Sequence, residues 1–364
     1  MRTLTAAVLV TALVAPGALS AQRQGTFLTP LNEPTTRVGA RGANFLEIGV
    51  GARGQALGYA YTALAEGADA MYWNPAGLAV ADGLIAAFTR ADLYDNLDIT
   101  HNFAGLAIPF AGGVAGVSYI GLGSGPIPRT DENFPAGGNP SAGDTFEWTS
   151  SALGLHYARR LTDRLQVGFS GRAVSEGIAN ASSNWWGVDI GTKFRTGLYG
   201  ITLGAVLANI GPAARAEGGA ITTRVTSDEA FSVNLPVRFN TVAYQLPTTF
   251  RFSVLTDLVG SADALLSANP NHAIRLALDL NDGVDTDIQT SVGLEYNFKR
   301  LVFLRGGKRF MNEAHADFRE FSHNLSFGGG LRLPMFGRHL AFDYAYTNMG
   351  ELQNVQVFSF EIGN

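Results

Sequence analysis

The chain has 364 residues, no cysteine and a formal net charge of −5 at pH 7. Lack of cysteine excludes a disulfide framework, a thiolate metal site, a cysteine nucleophile and a lipoprotein anchor. Both charge signs are spread along the chain without a basic block, which excludes a nucleic-acid partner. Glycine is the outlier at 44 residues, and only 16% of residues are charged. That low charge suits a surface facing lipid, and it suits a lightly charged soluble β-protein as well.

The first residues have the form of an export signal. Arg2 supplies a positive charge, Leu4 to Ala15 form an apolar run, Pro16 and Gly17 break it, and Ala18 to Ala21 offer small residues for cleavage. Residues 1–21 are therefore expected to be a signal peptide cut after Ala21, with Ser20 as the alternative. A retained anchor is disfavoured, because a spanning helix needs about 20 apolar residues. No later stretch reaches that length without a charge. The exported chain can then cross a bilayer only as a closed barrel, in which every backbone donor and acceptor finds a partner.

Residues 22–82 show no strand periodicity and are read as an N-terminal periplasmic and plug segment. Within it, Ala56–Ala70 is the one stretch where a short helix is expected. Residues 40–82 are expected to occupy the lumen, with Glu47, Arg53, Glu66 and Asp69 available to pair with inward Arg172, Lys193, Arg275, Glu295 and Arg332. Pro75 restricts Asn74 to an extended or turn conformation, and Gly77 permits close backbone approach. Together they predict a fixed bend before the first strand. A gating or ligand-facing role for Arg53, Asn74, Pro75 and Gly77 stands beside that structural role.

From 83 to 364 the sequence alternates with period two. Trp186, Val188, Ile190 and Phe194 oppose Gly187, Asp189, Lys193 and Arg195; Val292, Leu294, Tyr296 and Phe298 oppose Ser291, Glu295 and Asn297. About fourteen such strands begin near 83, 100, 112, 145, 164, 184, 198, 247, 272, 286, 301, 321, 338 and 353, an even number as in single-chain bacterial barrels. The fold class is thus all-β: a transmembrane antiparallel barrel with a plug in its lumen. Even-numbered connections are mostly tight, and the long ones, near 121–144, 211–246 and 309–320, are odd-numbered. Short periplasmic turns and long outer loops put the N-terminus in the periplasm. The connection near 258–271 is longer than this rule wants. A soluble sandwich or propeller does not explain the alternating loop lengths, and no blade-length repeat is present. In the last strand Phe358, Phe360 and Ile362 are expected to face lipid, and Ser359 and Glu361 the lumen. The chain ends in Asn364 where an aromatic residue is usual.

Other motifs weigh less. Gly49, Gly51 and Gly54 match a dinucleotide fingerprint, but alternating β/α units do not follow. Asp279, Asn281, Asp282, Asp285 and Asp287 resemble a calcium loop without its closing glutamate, and the same residues are ordinary for a turn. A serine–histidine hydrolase needs a third orienting group, and the histidines, His315 and His323 among them, show no such pattern. Trp148, Trp185, Trp186, Tyr344 and Tyr346 are expected in interfacial girdles. No catalytic residue, metal ligand or cofactor is expected; the expected partners are outer-membrane lipid and lipopolysaccharide.

Gly51-Ala-Arg-Gly54-Gln-Ala-Leu-Gly58, continuing to Trp73-Asn74-Pro75-Ala76-Gly77-Leu78-Ala79, resembles the N-terminal signature of the PorV/PorQ family, within the wider group of barrels like the fatty-acid transporter FadL. Gly293-Leu294-Glu295-Tyr296 followed by Leu304-Arg305-Gly306-Gly307 resembles a later signature. The resemblance spans nearly the whole exported chain and implies fourteen strands with an N-terminal plug. It maps Asn74, Pro75 and Gly77 individually. It implies a component that docks or translocates exported protein cargo, as in type IX secretion, or alternatively a FadL-like transporter of hydrophobic small molecules.

Overall fold

The computed structural model describes residues 40–95, 97–139, 145–226, 234–311, 322–335 and 337–363. The expected signal peptide, residues 22–39, His315 and Asn364 lie outside them. Fourteen long strands form a closed antiparallel barrel. They are β1 (Ile85–Leu93), β2 (Ile99–Phe110), β3 (Gly113–Gly123), β4 (Trp148–Arg160), β5 (Leu165–Ile178), β6 (Ala181–Arg195) and β7 (Ile201–Ile210), then β8 (Thr249–Gly260), β9 (His272–Gly283), β10 (Gln289–Phe298), β11 (Val302–Phe310), β12 (Leu325–Met335), β13 (Arg338–Asn348) and β14 (Asn354–Gly363). Every start lies within four residues of its expected place.

Each strand pairs with its sequence neighbours, and β1 pairs with β14 from Ala86↔Ile362 to Leu93↔Val355, which leaves no open edge. The register shifts between Val188 and Ile190 on the β6–β7 seam and between Asp257 and Val259 on the β8–β9 seam. The seams from β1 to β6 keep unbroken register.

Alternation decides which side chains point outward. Leu106, Val117, Leu153, Leu155, Phe169, Leu304, Phe327, Phe342 and Phe360 are exposed, Leu155 to 69% of its surface. In water such a belt would be an aggregation surface; against hydrocarbon it is the ordinary outside of a membrane barrel. Among the described residues no helix is long and apolar enough to cross a membrane. Trp186 belongs to this belt, but Trp185 has the opposite parity and is buried, its Nε1 donating to the Tyr244 carbonyl at 2.8 Å. Two adjacent tryptophans on one strand cannot both face lipid.

The connections sort by length onto the two mouths of the ring. Short turns join β2 to β3, β4 to β5, β10 to β11 and β12 to β13, while the connections from β3 to β4, β7 to β8 and β11 to β12 leave from and return to the strand ends at the opposite mouth. The overlong turn 261–271 is braced by Ser267–Ala268, which pairs in parallel with Val259–Gly260.

Residues 40–82 fold into short pieces: a 3-10 turn at Asn44–Glu47, α1 (Ala52–Ala56), α2 (Ala70–Trp73) and a 3-10 turn at Pro75–Val80. The helix expected over Ala56–Ala70 is instead split to either side of that stretch. Gly58 (φ 60°), Tyr59 (φ 73°) and Gly67 (φ 69°) are left-handed, a conformation that terminates a helix. Phe45, Leu46, Leu57, Leu64, Met71 and Trp73 of this segment form one buried cluster with inward Phe103, Ile120, Val174 and Val357.

Candidate functional site: the seat of the N-terminal segment

The inner wall is carved for the segment by glycines. A Cβ on Gly204 of β7 would lie 2.9 Å from Ala63 Cα, one on Gly293 of β10 2.8 Å from the Leu57 carbonyl oxygen, and one on Gly105 or Gly116 2.8 Å from Met71. Gly168 of β5 faces the Pro75 backbone, Gly191 of β6 the Asn74 side chain, Gly307 of β11 the Leu57 carbonyl and Gly328 of β12 the Ala56 methyl. Eight strands thus offer a bare backbone where the segment passes. Interiors pack near crystal density, so a side chain at such a point displaces the segment or strains the wall.

The segment has little regular structure, so its buried backbone groups need partners from elsewhere. Polar wall side chains supply them. Ala52 N donates to Ser359 Oγ (2.7 Å), Thr62 N to Asp279 Oδ2 (2.9 Å) and Ala68 N to Glu361 Oε2 (3.1 Å). In return Arg172 Nη2 donates to the Met71 carbonyl (2.9 Å) and Lys193 Nζ to that of Ala65 (3.2 Å).

Charge closes the seat at its centre. Glu295 is fully buried and accepts from Arg53 Nε and Nη2, both at 2.8 Å, and from Arg305 Nε at 2.8 Å. Arg275 stands 3.7 Å away and also pairs with Asp257 at 3.3 Å. Arg305 also contacts Asp343. Arg53 is the only member of this group that belongs to the segment. Lys193 pairs with Glu66 at 3.2 Å, and Arg172 with Asp189 of its own wall at 2.9 Å. Arg332 stands beside this group, its guanidinium 5.5 Å from the centre of the Phe303 ring that Arg305 also faces at 5.0 Å. Neither Glu47 nor Asp69 forms an ion pair with the five inward charges among the described contacts.

Around Trp73 the segment builds its own aromatic core. The rings of Tyr59, Tyr61 and Tyr72 meet Trp73 edge-on at 5.3, 5.8 and 5.1 Å, and Arg251 of β8 lies 5.5 Å from the Trp73 ring centre. The residual cavity there is about 20 Å³, bordered by Glu47, Tyr59, Trp73, Arg251 and Arg309. That is room for one water molecule.

Asn74 is extended (φ −161°, ψ 102°), as the following proline requires. Its Oδ1 accepts from Ala76 N (3.1 Å), and its Nδ2 donates to the carbonyls of Thr62 (3.1 Å) and Thr192 (3.0 Å). One side chain therefore caps the next turn, closes the segment on itself and ties it to β6. A Cβ on Gly77 would strike the Ala65 carbonyl. Arg53, Asn74, Pro75 and Gly77 thus all lie in the seat, and Arg332 reaches only the Phe303 ring beside it.

Sequence reasoning named Arg305 only within a signature and Asp189 only for its parity, and gave neither of them, nor Asp343, the glycine seat or His156, a place in the site. His156 bridges Ser118 Oγ (2.8 Å) and Ser170 Oγ (2.7 Å), a buried polar relay without a carboxylate to orient it. Asp279 is taken up by Thr62 and Ser253, and no group of three or more metal-ligating side chains occurs among the described residues.

No family profile matches the chain, and no curated protein matches it by sequence. Solved structures do. The monoaromatic hydrocarbon channel CymD superposes with a TM-score of 0.54 at 13% identity, over 86% of this chain and 96% of that one. The Pseudomonas putida toluene transporter TodX gives 0.52 at 11%, over 86% and 96%. A Pseudomonas aeruginosa FadL homologue gives 0.48 at 11%, over 86% and 97%. At such identities the likeness is one of fold, and it does not reach the narrower PorV/PorQ resemblance. The chain shares the barrel fold of CymD and TodX.

Proposed function

We propose that this protein is an outer-membrane transporter of hydrophobic small molecules in which residues 40–82 act as the plug. The observation that carries this reading is the seat itself. A segment fastened by two ion pairs, Arg53–Glu295 and Glu66–Lys193, by a set of glycine contacts and by hydrogen bonds from wall side chains packs against the inner wall and leaves about 20 Å³ beside Trp73. Small displacements of such a segment open room for a small apolar molecule, whereas a folded protein needs the entire lumen. The fold shared with CymD and TodX supports the same substrate class. Short turns on the periplasmic side and long connections outside follow the general rule for such barrels, and the outward apolar belt would contact lipid and lipopolysaccharide.

The role in protein secretion implied by the PorV/PorQ resemblance gains no specific support from the seat. Deleting the gene separates the two: uptake of toluene or a long-chain fatty acid falls while the set of secreted proteins is unchanged. Normal uptake with lost secretion would reverse the assignment.

A further inference from the structure

Traced from its first described residue, the segment starts at one mouth of the ring and ends at the other, doubling back between them where Tyr72 and Trp73 return to Leu46, Val50 and Arg251. Ala40 is exposed. Gly42 N donates to the Gln245 carbonyl at 3.0 Å, and the Arg41 guanidinium reaches the Gln245 side chain. The inward Trp185 lies against Gly42, where an added Cβ would meet its ring. Gln245 belongs to the 211–248 connection, at the long-loop mouth. Glu47 comes next, sharing a small cavity with Arg251, Gln289 and Arg309, which stand at the long-loop ends of β8, β10 and β11.

Other points of the segment touch the wall lower down. Arg53 meets Glu295, and Ala63 meets Gly204 near the short-turn end of β7. Lys193 and Glu361, which hold Glu66 and Ala68, are each two residues from the short-turn ends of β6 and β14. The Val80 carbonyl finally accepts from Arg160, the last residue of β4, at 3.5 Å. Ile85 begins β1 at that same mouth.

We propose that the chain is threaded through the barrel from its long-loop mouth, and that Trp185 and Gln245 clamp it where it goes in. Ala40 then opens on the same side of the membrane as the long connections. The barrel's own ends, Ile85 and Gly363, open on the other. The loop-length rule alone places every N-terminal part of the chain beside Ile85, because it does not register that 43 residues' worth of path, from Ala40 to Asp82, crosses the lumen first. Release of the plug would begin at the clamp, so an arriving molecule would act on Trp185 and Gln245 before it reached Glu295. The proposal rests on the plug reading only for this last consequence; the threading stands on the path of contacts.

The absence of cysteine makes the test direct. Three single-cysteine proteins, Ala40→Cys, Ala136→Cys in the 124–147 connection and Asp163→Cys in a short turn, are treated with a membrane-impermeant maleimide on intact and on permeabilised cells. Ala40→Cys is expected to react together with Ala136→Cys, and Asp163→Cys oppositely. Ala40→Cys reacting together with Asp163→Cys would overturn the threading. If Ala136→Cys and Ala40→Cys both need permeabilisation while Asp163→Cys does not, the orientation under the proposed function falls and the threading is upheld. For the clamp, Ala43→Cys, fully buried in the wild-type background, is labelled with and without Trp185→Ala or Gln245→Ala. At least a tenfold faster reaction is expected in either variant whose gel mobility without heating still shows a folded barrel. An unchanged rate in both folded variants would refute the clamp.

Discussion

Glu295→Gln is the perturbation that bears most directly on the seat. Glu295 is fully buried and takes hydrogen bonds from Arg53 and Arg305, with Arg275 at 3.7 Å. When its charge is removed, Arg305 keeps Asp343 and Arg275 keeps Asp257. Arg53 keeps no hydrogen-bonded carboxylate among the described residues, only the glutamine amide oxygen and the Tyr61 hydroxyl, at 3.5 Å. The cost therefore falls on Arg53, a buried cation whose hydrogen-bonded carboxylate is gone, and breaking a buried pair in this way costs about 3–5 kcal/mol. At about 1.4 kcal/mol per decade, the unseated population rises roughly a hundredfold to a few thousandfold. Arg53→Met is milder, because Glu295 keeps two guanidiniums and loses only charged hydrogen bonds worth about 1.5–3 kcal/mol. The double variant removes the stranded cation and is expected to be more stable than Glu295→Gln alone. Opening frequency in planar bilayers reads all three. A double variant that opens as often as Glu295→Gln, or an Arg53→Met that opens more often, would show that the wall carboxylate is not held in place for Arg53.

Other expectations follow from the same contacts. Asn74→Ala removes a cap and two ties to carbonyls, at a cost of about 1–3 kcal/mol, and should lower the thermal midpoint while raising bilayer openings. Gly168→Val puts side-chain atoms onto the Pro75 backbone and should cost about 1–3 kcal/mol by overpacking, seen as protease cleavage within 40–82; resistance equal to wild type would remove Gly168 from the seat. Leu155→Arg on the outer belt should hinder insertion into lipid vesicles by about 2–4 kcal/mol if it lies at mid-membrane; insertion as efficient as wild type would place Leu155 outside the hydrocarbon. At the long-loop mouth, burial and then the charge of Asp285 raise the Glu47 carboxyl from 4.5 to about 7, against the pull of Arg309 and Arg251. Since the seated pKa is the higher one, seating is favoured below pH 4.5 and weakens as pH climbs to about 7. Glu47→Gln should flatten the thermal midpoint across that window, and an unaltered profile would mean that Glu47 does not govern it.

Much of the wall was legible because a barrel strand carries its own label. Side chains on opposite faces meet different solvents, so Phe327 and Ser326, or Leu294 and Glu295, announce their sides by chemistry alone. Trp185 misled because aromatic chemistry suits both a lipid interface and a packed interior; only its parity beside Trp186 separates them. The seat was harder. Asn74-Pro75 dictates a local bend that can be read in the chain, and Arg53 and Glu295 are recognisable as charges that need partners. Nothing local says that these two meet across 242 positions. The wall glycines are harder still. Gly204, Gly293 and Gly307 look like spacers in alternating strands, and their purpose exists only once the segment lies against them. Composition held the one available hint, in the 44 glycines.

Closure of the ring by β14 carries a consequence for how the protein is made. Ser359 and Glu361 sit on this final strand, and they take the Ala52 and Ala68 amides while the same strand zips onto β1. Docking of the earliest-made part and sealing of the wall are therefore a single late event in biogenesis. An unsealed sheet and an unfilled interior therefore persist together until the ten residues of β14 take their place.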